Sequence, residues 1–364
     1  MERGLNAIRR FGERLRGFKP EQVRAVATNT FRVARNAQKF VQEAQIALGF
    51  PIEVIAGVEE ARLIYIGTSH EAPAVSGNRL VIDVGGGSSE FIIGKGYEPK
   101  LLESLYIGCV SHSIRFFPNG AIDPHSFKEA ELAARREVQV IKGRFNKSGW
   151  NQVIGSSGTA RALADLIADN KLNGSEEKGT LESLELVTSG IITIHGLKAL
   201  KRKVLDVDHI DRIQLINLKD DRRPVLPGGL SIMLAIFDEF GIEKMEVSDA
   251  ALRVGVLYDL LGRTQHHDMR DVTVSQFMHR YHVDARQARR VAALAHELFT
   301  QFTHGDPHAD DTAPQYLAWA AKLHEIGITV AYSGYHRHSA YILQNAEMPG
   351  FSNMEQAQLA TLVL

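Results

Sequence analysis

The segment Leu80–Ile93 constrains the fold of this chain more than any other stretch. It reads LVIDVGGGSSEFII, in which two apolar, β-branched runs flank a triple-glycine turn, with Asp83 before the turn and Glu90 after it. Short apolar runs bounded by glycine are typical of buried strands, so the pattern predicts a β-hairpin. A Walker A loop needs a lysine after its glycines, and a dinucleotide fingerprint needs a helix there. The hairpin therefore fits neither type of nucleotide-binding motif.

The glycine turn also indicates a chemistry. Because Gly85, Gly86 and Gly87 lack a Cβ, their backbone can approach a ligand and direct successive N–H groups toward it. Such groups suit phosphate oxygens, and the two flanking carboxylates suit a hydrated Mg²⁺. A purely structural glycine-rich hairpin would have the same sequence, so the turn alone leaves both interpretations open.

The composition limits the classes of protein to which this chain can belong. With 364 residues it is long enough for two or three domains, and a net charge of −1 predicts no DNA partner. Its single cysteine, Cys109, excludes an internal disulfide and is typical of a reducing compartment. No apolar run approaches the length of a membrane span or a signal peptide core. We therefore predict a cytoplasmic protein without integral membrane association.

The order of the predicted elements indicates two kinds of architecture. Strand patterns near residues 23–27, 52–55 and 101–107 alternate with helical patterns such as 35–48 and 124–145. This alternation predicts an α/β layer structure, with Thr28–Thr30 as the turn that leaves the first strand. From about residue 265 only helical periodicity is present, which predicts a separate all-α domain.

A second turn also suits an anion. A strand pattern runs into Gly155, Ser156, Ser157, Gly158 and Thr159, and a helical pattern follows. The free N–H groups of a helix N-terminus attract anions, which makes this segment a candidate phosphate site. The structural alternative is an ordinary strand–helix turn in which Thr159 is the N-cap.

Several segments resemble motifs of the exopolyphosphatase/guanosine pentaphosphate phosphatase family and follow one another in the same order as in that family. The resemblance extends over essentially the whole chain and is carried by Thr28–Arg32, Ala56–Arg62, Ile82–Glu90, Gly155–Thr159, Leu323–Gly327, Tyr335–Asn345 and Pro349–Phe351. It implies the fold shared by actin, sugar kinases and heat-shock ATPases. In that fold two ribonuclease-H-like lobes enclose a cleft, and in this family an HD-like helical domain follows them.

The resemblance also implies a domain organisation. Residues 1–65 would be the remainder of the first lobe, 66–264 the second lobe with its phosphate loop, and 265–364 a partial HD-like domain. Family members open with a strand and an Asp-x-Gly-Ser-Asn turn, and no segment of this chain corresponds to them. We therefore expect a chain truncated at both ends, and the family's helical domains imply a homodimer.

Carried over residue by residue, the resemblance implies a role for each of several site residues. Glu60 matches the catalytic glutamate, Asp83 and Glu90 match the Mg²⁺-binding carboxylates, and Arg32 matches a basic residue that faces the phosphates. The loop Gly85–Ser88 matches the second phosphate loop. Without the resemblance, Glu60 could be a helix N-terminal charge, Asp83 a turn cap and Arg32 a surface residue.

The resemblance predicts an exopolyphosphatase that uses Mg²⁺ to release orthophosphate from the end of inorganic polyphosphate. The nearest alternative is a hydrolase that removes the terminal phosphate of guanosine pentaphosphate (pppGpp), although Tyr335–Asn345 looks more like the polyphosphatase branch. A non-catalytic sensor of a nucleotide or alarmone is a further alternative, and a sugar or acetate kinase is less favoured.

Late histidines and basic pairs are two further groups of candidate residues. His324, His336 and His338 lie close in sequence, but Glu325 stands where a metal-binding HD motif requires aspartate, so we predict no metal there. Basic pairs such as Arg222–Arg223 either line a path for polyphosphate or belong to solvated helix faces.

Overall fold

A computed structural model describes residues 2–73, 75–173, 190–264, 268–304 and 313–364. The chain forms two compact units. One comprises Met1–Glu59 with Asp259–Leu364, and the other comprises Glu60–Tyr258. The domain boundaries expected from the sequence stay predictions.

The described residues form the following elements. The strands are β1 (Ala25–Ala27), β2 (Ile52–Val54), β3 (Asn78–Val84), β4 (Ser89–Lys95), β5 (Glu98–Leu105), β6 (Gln152–Gly155), β7 (Ile191–Thr193) and β8 (Lys244–Val247). The helices are α1 (Glu2–Leu15), α2 (Asn29–Val33), α3 (Ala37–Leu48), α4 (Gly57–Glu71), α5 (Cys109–Phe116), α6 (Pro124–Ser148), α7 (Gly158–Asp169), α8 (Ile194–Leu205), α9 (Leu226–Phe240), α10 (Leu252–Thr264), α11 (Met269–Arg280), α12 (Ala285–Phe302), α13 (Ala313–Leu323), α14 (Tyr335–Asn345) and α15 (Asn353–Val363).

A six-stranded sheet organises the Glu60–Tyr258 unit. Its strand order is β5-β4-β3-β6-β8-β7. The predicted hairpin is confirmed, since β3 and β4 pair antiparallel and a four-residue loop, Gly85–Ser88, joins them. The strands β3, β6 and β8 are parallel.

Both faces of this sheet are covered, which explains why its strands are apolar without alternation. On one face Leu80, Ile82 and Phe91 are fully buried in the main core, to which α6, α7, α8 and α9 contribute. On the other face Val81 and Ile92 pack against α4. Almost every residue of α9 is buried, as its predominantly apolar sequence requires.

The other unit combines a small α/β part with helices. Its strands β1 and β2 pair in parallel, and α1 and α3 pack against each other nearby. The sequence placed a turn at Thr28–Thr30, but α2 already begins at Asn29. The helical prediction from residue 265 is confirmed for the described residues, where α11, α13, α14 and α15 contribute to a core that contains Trp319 and Phe351.

No helix in the described ranges combines enough length with enough apolar sequence to cross a membrane.

Candidate active site

Two carboxylates flank the glycine loop on one face of the sheet. Asp83 of β3 and Glu90 of β4 are direct cross-strand partners, so their side chains project from the same face. Ser156 Oγ donates a hydrogen bond to Asp83 Oδ2 at 2.8 Å. Ser104 Oγ of β5 donates to Glu90 Oε1 at 2.9 Å. Hydroxyl groups from two neighbouring strands and turns therefore orient both carboxylates.

Helix α4 brings Glu60 to the same face. Ala61, Ile64 and Tyr65 of α4 pack against Val81 and Ile92, which lie one row further along the carboxylate-bearing face. The burial of this apolar row places α4 on the sheet. Glu60 is close enough to Asp83 and Glu90 for its charge to raise their pKa values. Glu60 lies in the first turn of α4 and is 8% exposed.

The pKa values show that the three carboxylates interact. Burial raises the pKa of Asp83 to about 6, the hydrogen bond from Ser156 opposes the rise, and the charge of Glu60 adds to it. Burial also raises the pKa of Glu90 well above its usual range, and the charges of Glu60 and Asp83 add to that rise. The structure therefore brings together the three acidic residues that the sequence nominated.

Whether a divalent cation binds beside these carboxylates stays a prediction. Three carboxylates that destabilise one another's charged forms would each be stabilised by a neighbouring cation. Among the described residues, no group of three or more His, Cys, Asp and Glu side chains is arranged so that it could hold a metal ion by itself. Mg²⁺ does not require one, because it keeps several waters and is often held by one or two carboxylates together with substrate phosphates. Asp83 and Glu90 have the chemistry for such a site.

The raised pKa of Asp83 predicts how stability depends on pH without divalent cations. The folded state binds the Asp83 proton more tightly than the unfolded chain, where the pKa is about 3.9. Asp83 therefore contributes stability at low pH, and this contribution is lost as the pH rises through about 6. Calorimetry in EDTA should show that Tm falls less between pH 4.5 and 7.5 in Asp83→Asn than in the unmodified protein. Equal slopes in the two proteins would contradict the assignment.

The loop Gly85–Ser88 is held in place by its own turn and by helix α5. The Gly85 N–H donates to Ser88 O at 2.9 Å, which closes the turn. The carbonyl groups of Gly85 and Gly86 accept bonds of 2.9 Å from the N–H groups of Cys109 and Val110 at the start of α5. The N–H groups of Gly86 and Gly87 donate to no acceptor among the described residues. These groups can therefore donate to an anion.

The segment Gly155–Thr159 joins the same end of the sheet. Ser157, not Thr159, is the N-cap of α7, since its side chain accepts from the Ala160 N–H at 3.0 Å. Thr159 lies inside the helix and donates from Oγ1 to Val84 O at 2.8 Å. The expectation that Thr159 is the N-cap was therefore wrong. Ser157 has the extended backbone that an N-cap adopts, whereas Thr159 is already helical. Whether this turn binds phosphate stays a prediction.

Glycine Gly155 has a packing role that the motif did not reveal. A Cβ at this position would lie 2.8 Å from Ala160 Cβ and 2.8 Å from Met245 Sδ. The absence of a side chain at Gly155 lets β6, β8 and α7 approach closely.

Sequence reasoning overlooked the Pro-Gly-Gly start of α9. A Cβ on Gly229 would lie 2.7 Å from Thr159 Cγ2, and one on Gly228 would lie 2.6 Å from Cys109 O. The N-termini of α5, α7 and α9 therefore meet beside the glycine loop, where their dipoles favour negative charge. Proline at the first turn of a long apolar helix, followed by two glycines, was the signal that could have located this helix start.

Arg222 belongs to the basic pair Arg222–Arg223, for which the sequence allowed either a role in a polyphosphate path or a place on a solvated helix face. Its guanidinium lies against Gly158, where an added Cβ would be 2.9 Å from Arg222 Nη2. Its acidic neighbour Asp221 is 3.9 Å away and mostly exposed, so that pairing is weak. The structure thus adds a cation at the N-terminus of α7.

Arg32 lies in the other unit, that of Met1–Glu59 with Asp259–Leu364. There its Nη1 donates to the Ile55 carbonyl at 2.8 Å, just ahead of α4. Its expected contact with phosphates stays a prediction.

Comparison with known proteins decides the family. The sequence profile of the Ppx/GppA phosphatase family matches residues 1–264, and the profile of domain III of these phosphatases matches residues 269–364. The chain belongs to the Ppx/GppA phosphatase family. As a member, it is a phosphatase and hence a hydrolase.

Solved structures agree with this membership. A Ppx/GppA family member from Aquifex aeolicus is 26% identical with a TM-score of 0.56, and the match covers 73% of this chain and 81% of that one. An exopolyphosphatase from Cytophaga hutchinsonii has a TM-score of 0.60 and 23% identity, over 71% and 81% of the two chains. The second similarity shows the fold alone. The predicted fold, an actin-like α/β part followed by an all-helical part, is confirmed.

Proposed function

We propose that this Ppx/GppA phosphatase is an exopolyphosphatase, which hydrolyses the terminal phosphoanhydride of inorganic polyphosphate with Mg²⁺. The observation that supports this most directly is the convergence of Glu60, Asp83 and Glu90 on the sheet face beside the loop Gly85–Ser88. Phosphoryl transfer to water needs a proton acceptor and hydrogen-bond donors for the phosphate oxygens, and carboxylates beside a loop with backbone N–H groups supply both.

In the proposed mechanism each group has one task. The N–H groups of Gly86 and Gly87 bind oxygens of the terminal phosphoryl group. Glu60 orients a water molecule and accepts its proton as the water oxygen bonds to phosphorus. The bridging P–O bond breaks, and the shortened polyphosphate leaves with the electron pair of that bond. Asp83 and Glu90 would hold Mg²⁺, which when bound neutralises charge on the phosphate oxygens.

We propose polyphosphate rather than pppGpp as the substrate because the Tyr335–Asn345 segment resembles the polyphosphatase branch of the family. The terminal phosphoanhydride is the same in both substrates, so the chemistry of the site does not distinguish them.

Turnover on matched substrates tests the proposal. The purified chain, with millimolar Mg²⁺, is given polyphosphate or pppGpp at equal concentrations of terminal phosphate, and released orthophosphate is measured. A phosphate monoester serves as the control substrate. We expect kcat/KM to be highest for polyphosphate. Faster release from pppGpp would select the alarmone hydrolase, and tight binding of either ligand without release would select the non-catalytic sensor.

Arg222 gives a prediction about substrate binding. Replacing Arg222 with glutamine removes a cation beside Gly158, and a hydrogen bond to a charged group contributes about 1.5–3 kcal/mol. We therefore expect KM for polyphosphate to rise by about tenfold or more, with a smaller change in kcat. Arg212→Gln is the matched control, because Arg212 is exposed and pairs with Asp208. Equal KM values for both variants and the unmodified protein would exclude Arg222 from the substrate site.

A further inference from the structure

We infer that Glu59 is a positioning residue, which fixes the first turn of α4 to the Pro349–Phe351 turn and thereby sets the direction in which Glu60 points. The inference rests on the proposed function of Glu60. It gives a function to the Pro349–Phe351 segment of the helical part, which has no role in the proposed mechanism.

Glu59 makes a buried, directional contact with that turn. Its side chain is 1% exposed, and its Oε2 accepts the Gly350 N–H at 2.7 Å. Its Oε1 lies 3.8 Å from Arg24 Nη2, and the Arg24 side chain is also almost completely buried. A buried carboxylate that loses such partners pays the desolvation cost of an unpaired charge, so this contact strongly favours one orientation of Glu59.

The turn that Glu59 contacts has little freedom to move. Arg263 Nη2 donates to Gly350 O at 2.9 Å, and Thr273 Oγ1 donates to Pro349 O at 2.6 Å. Phe351 is fully buried, with its ring centroid 5.1 Å from that of Trp319. Hydrogen bonds to Pro349 and Gly350 and the packing of Phe351 therefore hold the turn on the helical core, on both sides of the Gly350 N–H that donates to Glu59.

The backbone of Gly350 adds a further restriction. Its φ of +90° lies in the region that favours glycine, and an added Cβ would be 3.0 Å from Arg270 Cγ. Glycine at this position lets the turn present its N–H to Glu59 while the chain continues into the core.

A fixed Glu59 also fixes Glu60, because the two residues are consecutive in one helical turn. Successive Cα–Cβ bonds of a helix point about 100° apart, so holding the helical turn at Glu59 also fixes the Cα–Cβ direction of Glu60. With side chains about 5–6 Å from the helix axis, a rotation of 20° would move the Glu60 carboxylate by about 2 Å. A misplacement of 1 Å in a catalytic group can lower a rate a hundredfold.

Two substitutions of Glu59 test the inference. In Glu59→Met the acceptor is lost, and we expect kcat for polyphosphate to fall by about 10- to 100-fold while KM changes by less than about threefold. In Glu59→Gln the amide oxygen still accepts the Gly350 N–H, and we expect kcat within about threefold of the unmodified protein. Glu71→Met, at the exposed end of the same helix, is the control and should be unchanged.

Hydrogen exchange supplies a readout that does not depend on turnover. We expect the Gly350 amide and the amides of the first turn of α4 to exchange faster in Glu59→Met, but not in Glu59→Gln or Glu71→Met. If Glu59→Met does not fold, Thr273→Val loosens the same turn from the other side and should lower kcat by a smaller factor.

The outcomes separate this inference from the proposed function. If Glu60→Gln remains active, the proposed role of Glu60 is wrong. If Glu60→Gln is inactive while Glu59→Met has a lower Tm but an unchanged kcat, Glu59 is only structural and the inference is overturned. An unchanged kcat in Thr273→Val, where Glu59→Met cannot be purified, overturns it as well.

Discussion

Replacing Glu60 with glutamine is expected to lower kcat for polyphosphate by a factor of about 10² to 10⁴, with KM close to that of the unmodified protein. The side chain keeps its shape but loses the capacity to accept a proton from the attacking water. Binding of the phosphate chain should persist, because the N–H groups of the loop and Arg222 are unchanged. Steady-state release of orthophosphate, at saturating substrate and Mg²⁺, measures the effect.

The control for this variant is Glu71→Gln, which removes a carboxylate from the exposed end of the same helix and should have no effect on kcat. A Glu60→Gln protein that releases orthophosphate at the normal rate would show that another group accepts the proton. Because Glu60 raises the pKa of both Asp83 and Glu90, the variant should also have lower pKa values at these two carboxylates.

Replacing Gly108 with alanine is expected to lower activity by about a hundredfold or more, although no chemical group is removed. The new Cβ would lie 2.3 Å from Gly87 N and 2.4 Å from the carbonyl carbon of Gly86, so the phosphate loop must move. The φ of Gly108 is −150°, which alanine adopts freely, and the effect would therefore come from the collision alone. A displaced loop misaligns its N–H donors with the phosphoryl oxygens.

Gly143→Ala is the matched control for the Gly108 variant. Gly143 lies inside α6 with open space where a Cβ would be placed, so alanine there should stabilise the protein by about 0.5–1 kcal/mol without changing activity. Overpacking at Gly108 is expected to cost about 1–3 kcal/mol of stability, which denaturant unfolding would measure. Normal kcat and KM in Gly108→Ala would mean that the loop does not position the substrate.

Local sequence was sufficient for the parts of the site that lie within one hairpin. The apolar runs around Gly85–Ser88 predicted β3 and β4, and the short loop set the register that pairs Asp83 with Glu90. In the turn before α7, by contrast, Ser157 and Thr159 both carry hydroxyl groups that can cap a helix. Only the backbone conformation, which depends on how β6 ends, selected Ser157.

The family resemblance named the acidic residues of the site. The amino-acid sequence by itself determined the α/β and helical parts and the glycine hairpin. These features depend on periodicity and on contacts between near neighbours. The tertiary structure alone decided that Glu60 joins Asp83 and Glu90, that three helix N-termini meet at the loop, and that Glu59 bonds to Gly350 across 291 positions. Such contacts depend on which apolar faces are buried together, and a periodic pattern shows that a face is apolar without showing what covers it.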